Sequence, residues 1–349
     1  FSCVNGNIIK QPTNILVFCG STVAFPSGGT YRNSYVDAMS RWNAVQNVQI
    51  SLAAPGCSFA SSITDNLSST WFTSSMPSGS ETATATSRPQ WSETTCRYTT
   101  NDIVFNNAYT WNSSEDMRHI PFNNDSDLPF YSVALHEMGH ALGLKHEERG
   151  WNIMGIDQSF VTYAGSTTDY RPGENATAGA VGSYGESGTA SDVGVSIWRY
   201  DAAATGSSMY SNHKEGSIRN PSTSAATSSN ANTIIPGPNR RFILNRGNTY
   251  RIELTFETIG PSTPSWISID GYLSSDFYFG SGDSFLGGWT IASPTRDWPT
   301  ETYVDITVPS TAATGTAYIG FNIGCTIVGS ICTDTNYWNN STYYAVTIL

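Results

Sequence analysis

The sequence predicts an α/β (α+β) domain over residues 1–187, followed by an all-β antiparallel sandwich domain over residues 188–349. Three observations lead there. Apolar residues recur at helical spacing in the first half, as Tyr35, Met39, Trp42 and Val45 do beside a short β-like run at residues 14–18. After the polar break at residues 185–191 the period changes to two: Val193, Val195 and Ile197 alternate with Gly194, Ser196 and Trp198. The length of 349 residues is enough for two sizeable cores.

Taken in order, residues 14–18 lie between Pro12 and Gly20 and read as a buried strand. Residues 31–48 read as an amphipathic helix, and residues 48–52 alternate as a strand. Residues 55–100 are rich in Ser, Thr and Gly and offer few clear elements. The polar cluster at residues 123–127 reads first as a turn and helix cap, and second as a Ca2+ site. A helix begins near Pro129, with Ala134, Met138 and Ala141 toward the core.

That helix carries the chemistry. His136, Glu137, His140, Gly143 and His146 form the pattern H-E-x-x-H-x-x-G-x-x-H. Residues four apart share a helix face, so His136 and His140 can aim two imidazoles at one point. Glu137 lies about 100° round the helix, where its carboxylate can reach a water at the metal rather than the metal itself. A continuing helix would point His146 elsewhere, but Gly143 tolerates φ > 0 and lets the chain turn back. Three neutral imidazoles and a water make the open tetrahedral Zn2+ site of a hydrolase. Three of the chain's five histidines fall within these eleven residues, and Met154 follows in a compact turn.

On these residues the chain resembles the metzincin clan of zinc endopeptidases. The resemblance implies one catalytic zinc held by His136, His140 and His146, Glu137 as general base, and Met154 as the turn methionine beneath the metal. The eight-residue step from His146 to Met154 looks like the matrixin branch, whereas Glu147 after the third histidine looks like the astacin branch. Astacins and serralysins place a tyrosine where this chain has Ile156, so no tyrosine ligand is assigned and the branch stays open. Residues 14–18 and 31–48 resemble the first strand and long helix of the fold, and residues 172–184 its terminal helix. Residues 101–111 resemble the edge strand to which a peptide substrate adds through backbone hydrogen bonds; the plainer alternative is an ordinary edge strand.

In the second half, residues 250–256, 304–308, 317–323 and 344–348 repeat the alternation between Gly/Pro/Ser/Asn-rich turns, while residues 221–233 read as a long exposed loop. In the 250–256 strand Arg251, Glu253 and Thr255 take the face away from the core. Residues 192–195, 271–276 and 335–340 resemble CARDB-type Ig-like domains, which implies a β-sandwich with an accessory or binding role but no particular ligand; a surface, glycan or protein is the expected kind of partner. Trp266, Tyr272, Phe277, Tyr278, Phe279, Trp289 and Trp298 either pack in that core or form a platform for such a ligand.

Composition removes other classes. The net charge of −11 with only three lysines leaves no basic stripe for nucleic acid or anionic lipid. No apolar run approaches the roughly 20 residues of a membrane span. Six cysteines lie away from metal-ligand spacing and read as disulfides of an oxidising compartment. Proximity pairs Cys325 with Cys332; Cys3, Cys19, Cys57 and Cys96 pair within the first half, where a Cys57–Cys96 bridge would restrain residues 55–100. The start at Phe1 fits a processed, secreted form. The reading is a secreted zinc endopeptidase acting on proteins or peptides. Its rival is an adhesin or surface-binding protein whose metzincin-like half is inactive. Oligomeric state and sequence preference are not legible.

Overall fold

A computed structural model describes residues 3, 8–54, 57–59, 61–113, 127–147, 153–155, 162–164, 167–169, 172, 174–185, 192–200, 213–227, 241–259, 264–276, 278–292, 294–295, 300–327, 330–331 and 340–349. The chain divides into two compact units. The first comprises Phe1–Glu147, Asn152–Phe160 and Tyr170–Gly188; the second comprises Glu148–Trp151, Val161–Asp169 and Thr189–Leu349. Strands far outnumber helices, of which the described residues hold three.

The first unit runs β1 (Ile15–Gly20), α1 (Thr30–Val45), β2 (Gln49–Leu52), β3 (Ser69–Thr73), β4 (Ala85–Ser92), β5 (Arg97–Asn106), β6 (Thr110–Asn112), β7 (Asp127–Pro129) and α2 (Phe130–Ala141). After the hairpin of β8 (Thr162–Ala164) and β9 (Thr167–Asp169), which belongs to the second unit, comes α3 (Glu174–Tyr184). Five strands form one sheet in the order β2-β1-β3-β5-β4. β1 pairs parallel with β2 and β3, β3 pairs parallel with β5, and β4 alone runs antiparallel, on β5. Phe130, at the start of α2, meets Phe25, Tyr31, Tyr35, Phe72, Phe105 and Trp111 in one aromatic cluster between helices and sheet. Burying such rings contributes about 1.5–3 kcal/mol each, so the start of the histidine helix is among the best-anchored parts of the unit.

Two expectations need correction here. Residues 101–111 are no edge strand: β5 ends at Asn106, lies between β3 and β4, and is buried from Thr100 to Asn106. The edge belongs to β4, whose polar sequence hid it within a stretch read as nearly featureless. Pro89 suits that place, because an edge strand has one side on which a missing N–H leaves no partner unmatched. The disulfides also connect differently. Cys3 joins Cys96 and Cys19 joins Cys57, with Cα atoms 5.8 and 5.9 Å apart, so no Cys57–Cys96 bridge exists. Cys325 is disulfide-bonded, and Cys332 lies outside the described residues.

The second unit continues with β10 (Asp192–Ser196), β11 (Trp198–Tyr200), β12 (His213–Glu215), β13 (Ile218–Arg219), β14 (Phe242–Leu244), β15 (Thr249–Ile259), β16 (Trp266–Ser274), β17 (Ser284–Ala292), β18 (Thr300–Thr307), β19 (Gly315–Ile327), β20 (Ser330–Ile331) and β21 (Ser341–Ile348). One sheet centres on β15, which pairs with β10, β13 and β18. The other runs β14-β21-β19-β16-β17, with β20 on β19. Pairing is antiparallel except for β14, which lies parallel to β21 and departs from the all-antiparallel expectation. Ile252, Leu254, Ile306, Ile319, Phe321, Tyr344 and Val346 are buried. Glu253 and Thr255 are buried too, not solvent-facing. Glu253 Oε2 accepts hydrogen bonds from the Ser217 N–H and hydroxyl, and Oε1 accepts one from the Tyr303 hydroxyl at 3.2 Å. Residues 216–219 thus cover a face that alternation alone assigns to water.

Candidate metal centre

The centre is built on a helix that stops at the right place. α2 is buried along its length, with His136 1% and Glu137 3% exposed. Its end is a Schellman turn: Gly143 N–H donates to the His140 carbonyl at 2.8 Å, and Leu144 N–H to the Gly139 carbonyl at 3.0 Å. Gly143 has φ +90°, and a Cβ there would stand 2.9 Å from the Tyr98 hydroxyl and 3.3 Å from the Ile9 carbonyl. Both backbone and space therefore require glycine. The carbonyls freed at the helix end find distant donors. Ala141 accepts from Gln11 Nε2 at 3.0 Å and Asn101 Nδ2 at 3.1 Å, and Leu142 accepts from the Tyr184 hydroxyl at 2.8 Å.

The turn brings His146 back to the helix. The ligand nitrogens of His136, His140 and His146 all lie within 4.8 Å of one another. His140 Nε2 and His146 Nε2 are 3.2 Å apart. His136 Nδ1–H donates to the Ile153 carbonyl at 2.6 Å, and His140 Nδ1–H to the Leu144 carbonyl at 2.8 Å. Those bonds fix the tautomers, so Nε2 of each ring presents a lone pair to the common point. A tetrahedral ion with bonds of about 2.0–2.1 Å sets its nitrogens about 3.3 Å apart. The spacing fits, and lone pairs converging on one point call for a cation. Burial, followed by the neighbouring histidines, keeps His136 well below its ordinary pKa; burial above all lowers His140 to about 4. Neutral imidazole is the form that binds metal.

Met154 lies 1% exposed, with its side chain packed against Gly139 of α2. A Cβ on Gly139 would run into Met154 Sδ and come within 3.1 Å of Trp42 Cζ2, which explains the glycine between His136 and His140. The Met154 carbonyl accepts the Glu147 N–H at 2.9 Å, while Ile153 holds His136, so one turn braces the first and third histidines. Trp42 Nε1 donates to the Leu135 carbonyl at 2.9 Å and ties α1 to the helix.

Glu137 faces the edge strand. The Ser87 backbone N–H donates to its carboxylate, yet Oε2 is buried without a partner. Burial pushes its pKa up to about 8 against the opposing effects of that N–H and of Arg88. A buried carboxylate oxygen without a partner, next in sequence to a histidine of the triad, marks a candidate functional group. Every first-half site residue named from sequence is therefore assembled here, apart from the cysteines, while residues 123–126 of the polar cluster lie outside the described residues. Gln11, Ser87, Asn101 and Tyr184 had no local signal; each acts across at least 40 positions.

The family model described as Matrixin, a peptidase family, matches residues 80–166. No curated protein matches the chain. Among solved structures, a CARDB domain from Pyrococcus furiosus with di-metal ions is 12% identical, covering 31% of this chain and 79% of its own at a TM-score of 0.21. A Niemann-Pick type C2 protein from the Japanese carpenter ant is 7% identical, with 31% and 80% covered and a TM-score of 0.22. A Listeria innocua β-glucosidase is 12% identical, with 30% and 14% covered and a TM-score of 0.21. Scores of that size carry no inference. Over residues 80–166 the chain is similar to the matrixins, and that similarity supports a metalloprotease built on a histidine triad placed to bind a metal ion.

Proposed function

We propose that this chain is a secreted zinc endopeptidase of metzincin type. The observation that carries the reading is the convergence of three imidazoles, two of them tautomer-fixed, on a helix that also carries a buried carboxylate with an unpartnered oxygen. His136, His140 and His146 would hold the ion, and zinc there supplies Lewis-acid polarisation of the scissile carbonyl and a lowered water pKa. Glu137 takes the proton of the attacking water and returns it to the leaving amine. Ser87 N–H orients the other side of that carboxylate. The exposed edge of β4 receives an extended polypeptide by backbone pairing, which supports protein or peptide substrates. The β-sheet unit that follows serves as a β-sandwich accessory domain, and the disulfides support an oxidising, extracellular setting.

Casein digestion with and without a chelator tests the reading. Cleavage abolished by chelator, restored by zinc and lost in Glu137→Gln is the expected result. An inert wild type that still adheres to a surface ligand would hand the case to the inactive adhesin.

A further inference from the structure

The pairing of β16 with β17 sets Asp270 opposite Gly288 and Tyr272 opposite Phe285, so these residues share one face of the sheet. Gly288 lets the Asp270 carboxylate lie close over the strand at this point. A Cβ placed there would lie 2.9 Å from Asp270 Oδ1 and 3.6 Å from Phe285 Cζ. The point where any other residue would project is thus bracketed by a carboxylate oxygen and an aromatic ring. Phe285 is 60% exposed and meets Tyr272 edge-on, with centroids 5.6 Å apart. Asp270 accepts no hydrogen bond from a described residue, and after burial its charge and that of Asp283 raise the Tyr272 pKa. Residues 252–295 contain no lysine, arginine or histidine, so nothing nearby in sequence offsets this negative field. One strand away, at the register of Ser274, the same face already stacks a cation: the Arg241 guanidinium sits 5.4 Å from the Tyr318 ring centroid.

We infer that the Asp270 carboxylate over Gly288 and the exposed Phe285 ring beside it form a cradle for a lysine or arginine side chain of a partner polypeptide. The cation lies against the Phe285 and Tyr272 rings while Asp270 accepts its N–H groups. A neutral sugar could stack on the same rings but would leave the carboxylate uncompensated, so charge complementarity selects the cation. In this chain the cradle adds a capture point for basic segments, and it stands whether or not the proposed cleavage chemistry does.

The test uses the full chain carrying Glu137→Gln, so that no peptide is consumed. Fluorescein-labelled acetyl-Gly-Gly-Arg-Gly-Gly-amide, its lysine and glutamine counterparts, and cellohexaose are titrated at low and high salt. The arginine and lysine peptides should bind and the glutamine peptide and sugar should not. Asp270→Asn and Phe285→Ala should each weaken binding about tenfold. Gly288→Ala, whose methyl group would displace the Asp270 carboxylate without altering charge, should do the same at an unchanged melting temperature. Glu301→Gln, an exposed acid on β18, should change nothing. Equal losses in Glu301→Gln would reduce the effect to net charge. Equal binding of the glutamine peptide or the sugar, or no binding of either cationic peptide, would overturn the inference, and the Asp270→Asn result decides should Gly288→Ala fail to fold.

Discussion

Gly143→Ala is the substitution from which the geometry of the centre can be checked most directly. The residue turns the chain at φ +90°, a region that costs an L-residue about 1–2 kcal/mol. Its new methyl group would also press on the Tyr98 hydroxyl at 2.9 Å and the Ile9 carbonyl at 3.3 Å. Overpacking of that kind adds about 1–3 kcal/mol. The local penalty is therefore about 2–5 kcal/mol if the turn is kept. The free protein can relieve it by letting residues 143–146 swing out, and a metal-bound protein cannot, because His146 must return to within 3.2 Å of His140. Zinc affinity should accordingly fall about 30-fold or more, as about 1.4 kcal/mol is a factor of ten. Competition against a chromogenic chelator measures that affinity, and urea midpoints with and without metal separate binding from folding. Gly143→Ala combined with Tyr98→Phe should recover part of the loss, since the contact is relieved and the backbone strain is not. Zinc affinity within twofold of wild type, at unchanged stability, would refute the role of the turn.

Glu137→Gln should lower kcat about 10²–10⁴-fold while zinc content stays at one per chain, measured by peptide hydrolysis and elemental analysis. Asp102 is fully buried, with Oδ1 held by the Ser69 N–H at 2.9 Å and Oδ2 unpartnered; burial above all raises its pKa to about 7. Because the folded pKa exceeds the unfolded one, this group favours folding below about pH 4, and stability falls as pH rises to about 7, by at most about 4 kcal/mol. Asp102→Asn keeps the Ser69 bond and should flatten that fall; identical pH slopes in urea unfolding would contradict it. Non-reducing peptide maps should link Cys3 to Cys96 and Cys19 to Cys57, and removing the first bridge should cost about 2–5 kcal/mol in the same unfolding assay.

What the sequence revealed of the site was what a single helix and its turn encode. His136 and His140 meet because they are four apart, and Gly143 announces the reversal that returns His146. The partners that hold this arrangement were invisible for the opposite reason. Gln11, Asn101 and Tyr184 reach the helix end from three remote segments, and no periodicity records such a meeting. β4 was missed because an edge strand needs only one covered side, so its residues stay polar and resemble loop. β5 was mistaken for the edge although its buried run is what a strand covered on both faces requires. Alternation points Glu253 to solvent because it describes a sheet in isolation, before residues 216–219 settle over it.

The three donors at the end of α2 also bear on the order in which the protein acquires its metal. They are separated from the carbonyls they satisfy by 130, 40 and 42 positions, and Tyr184 follows every ligating histidine. A nascent chain that has just produced His146 already holds Gln11 and Asn101 but still lacks Tyr184, the donor to the Leu142 carbonyl just before the turn that returns His146. Loop closure over such spans must precede the contacts that reward it, which makes folding of this unit slow relative to a helical bundle of the same size. At the proposed zinc site, retention of the ion is therefore expected to follow the docking of Tyr184, so that the metal enters a nearly finished first unit instead of directing its assembly.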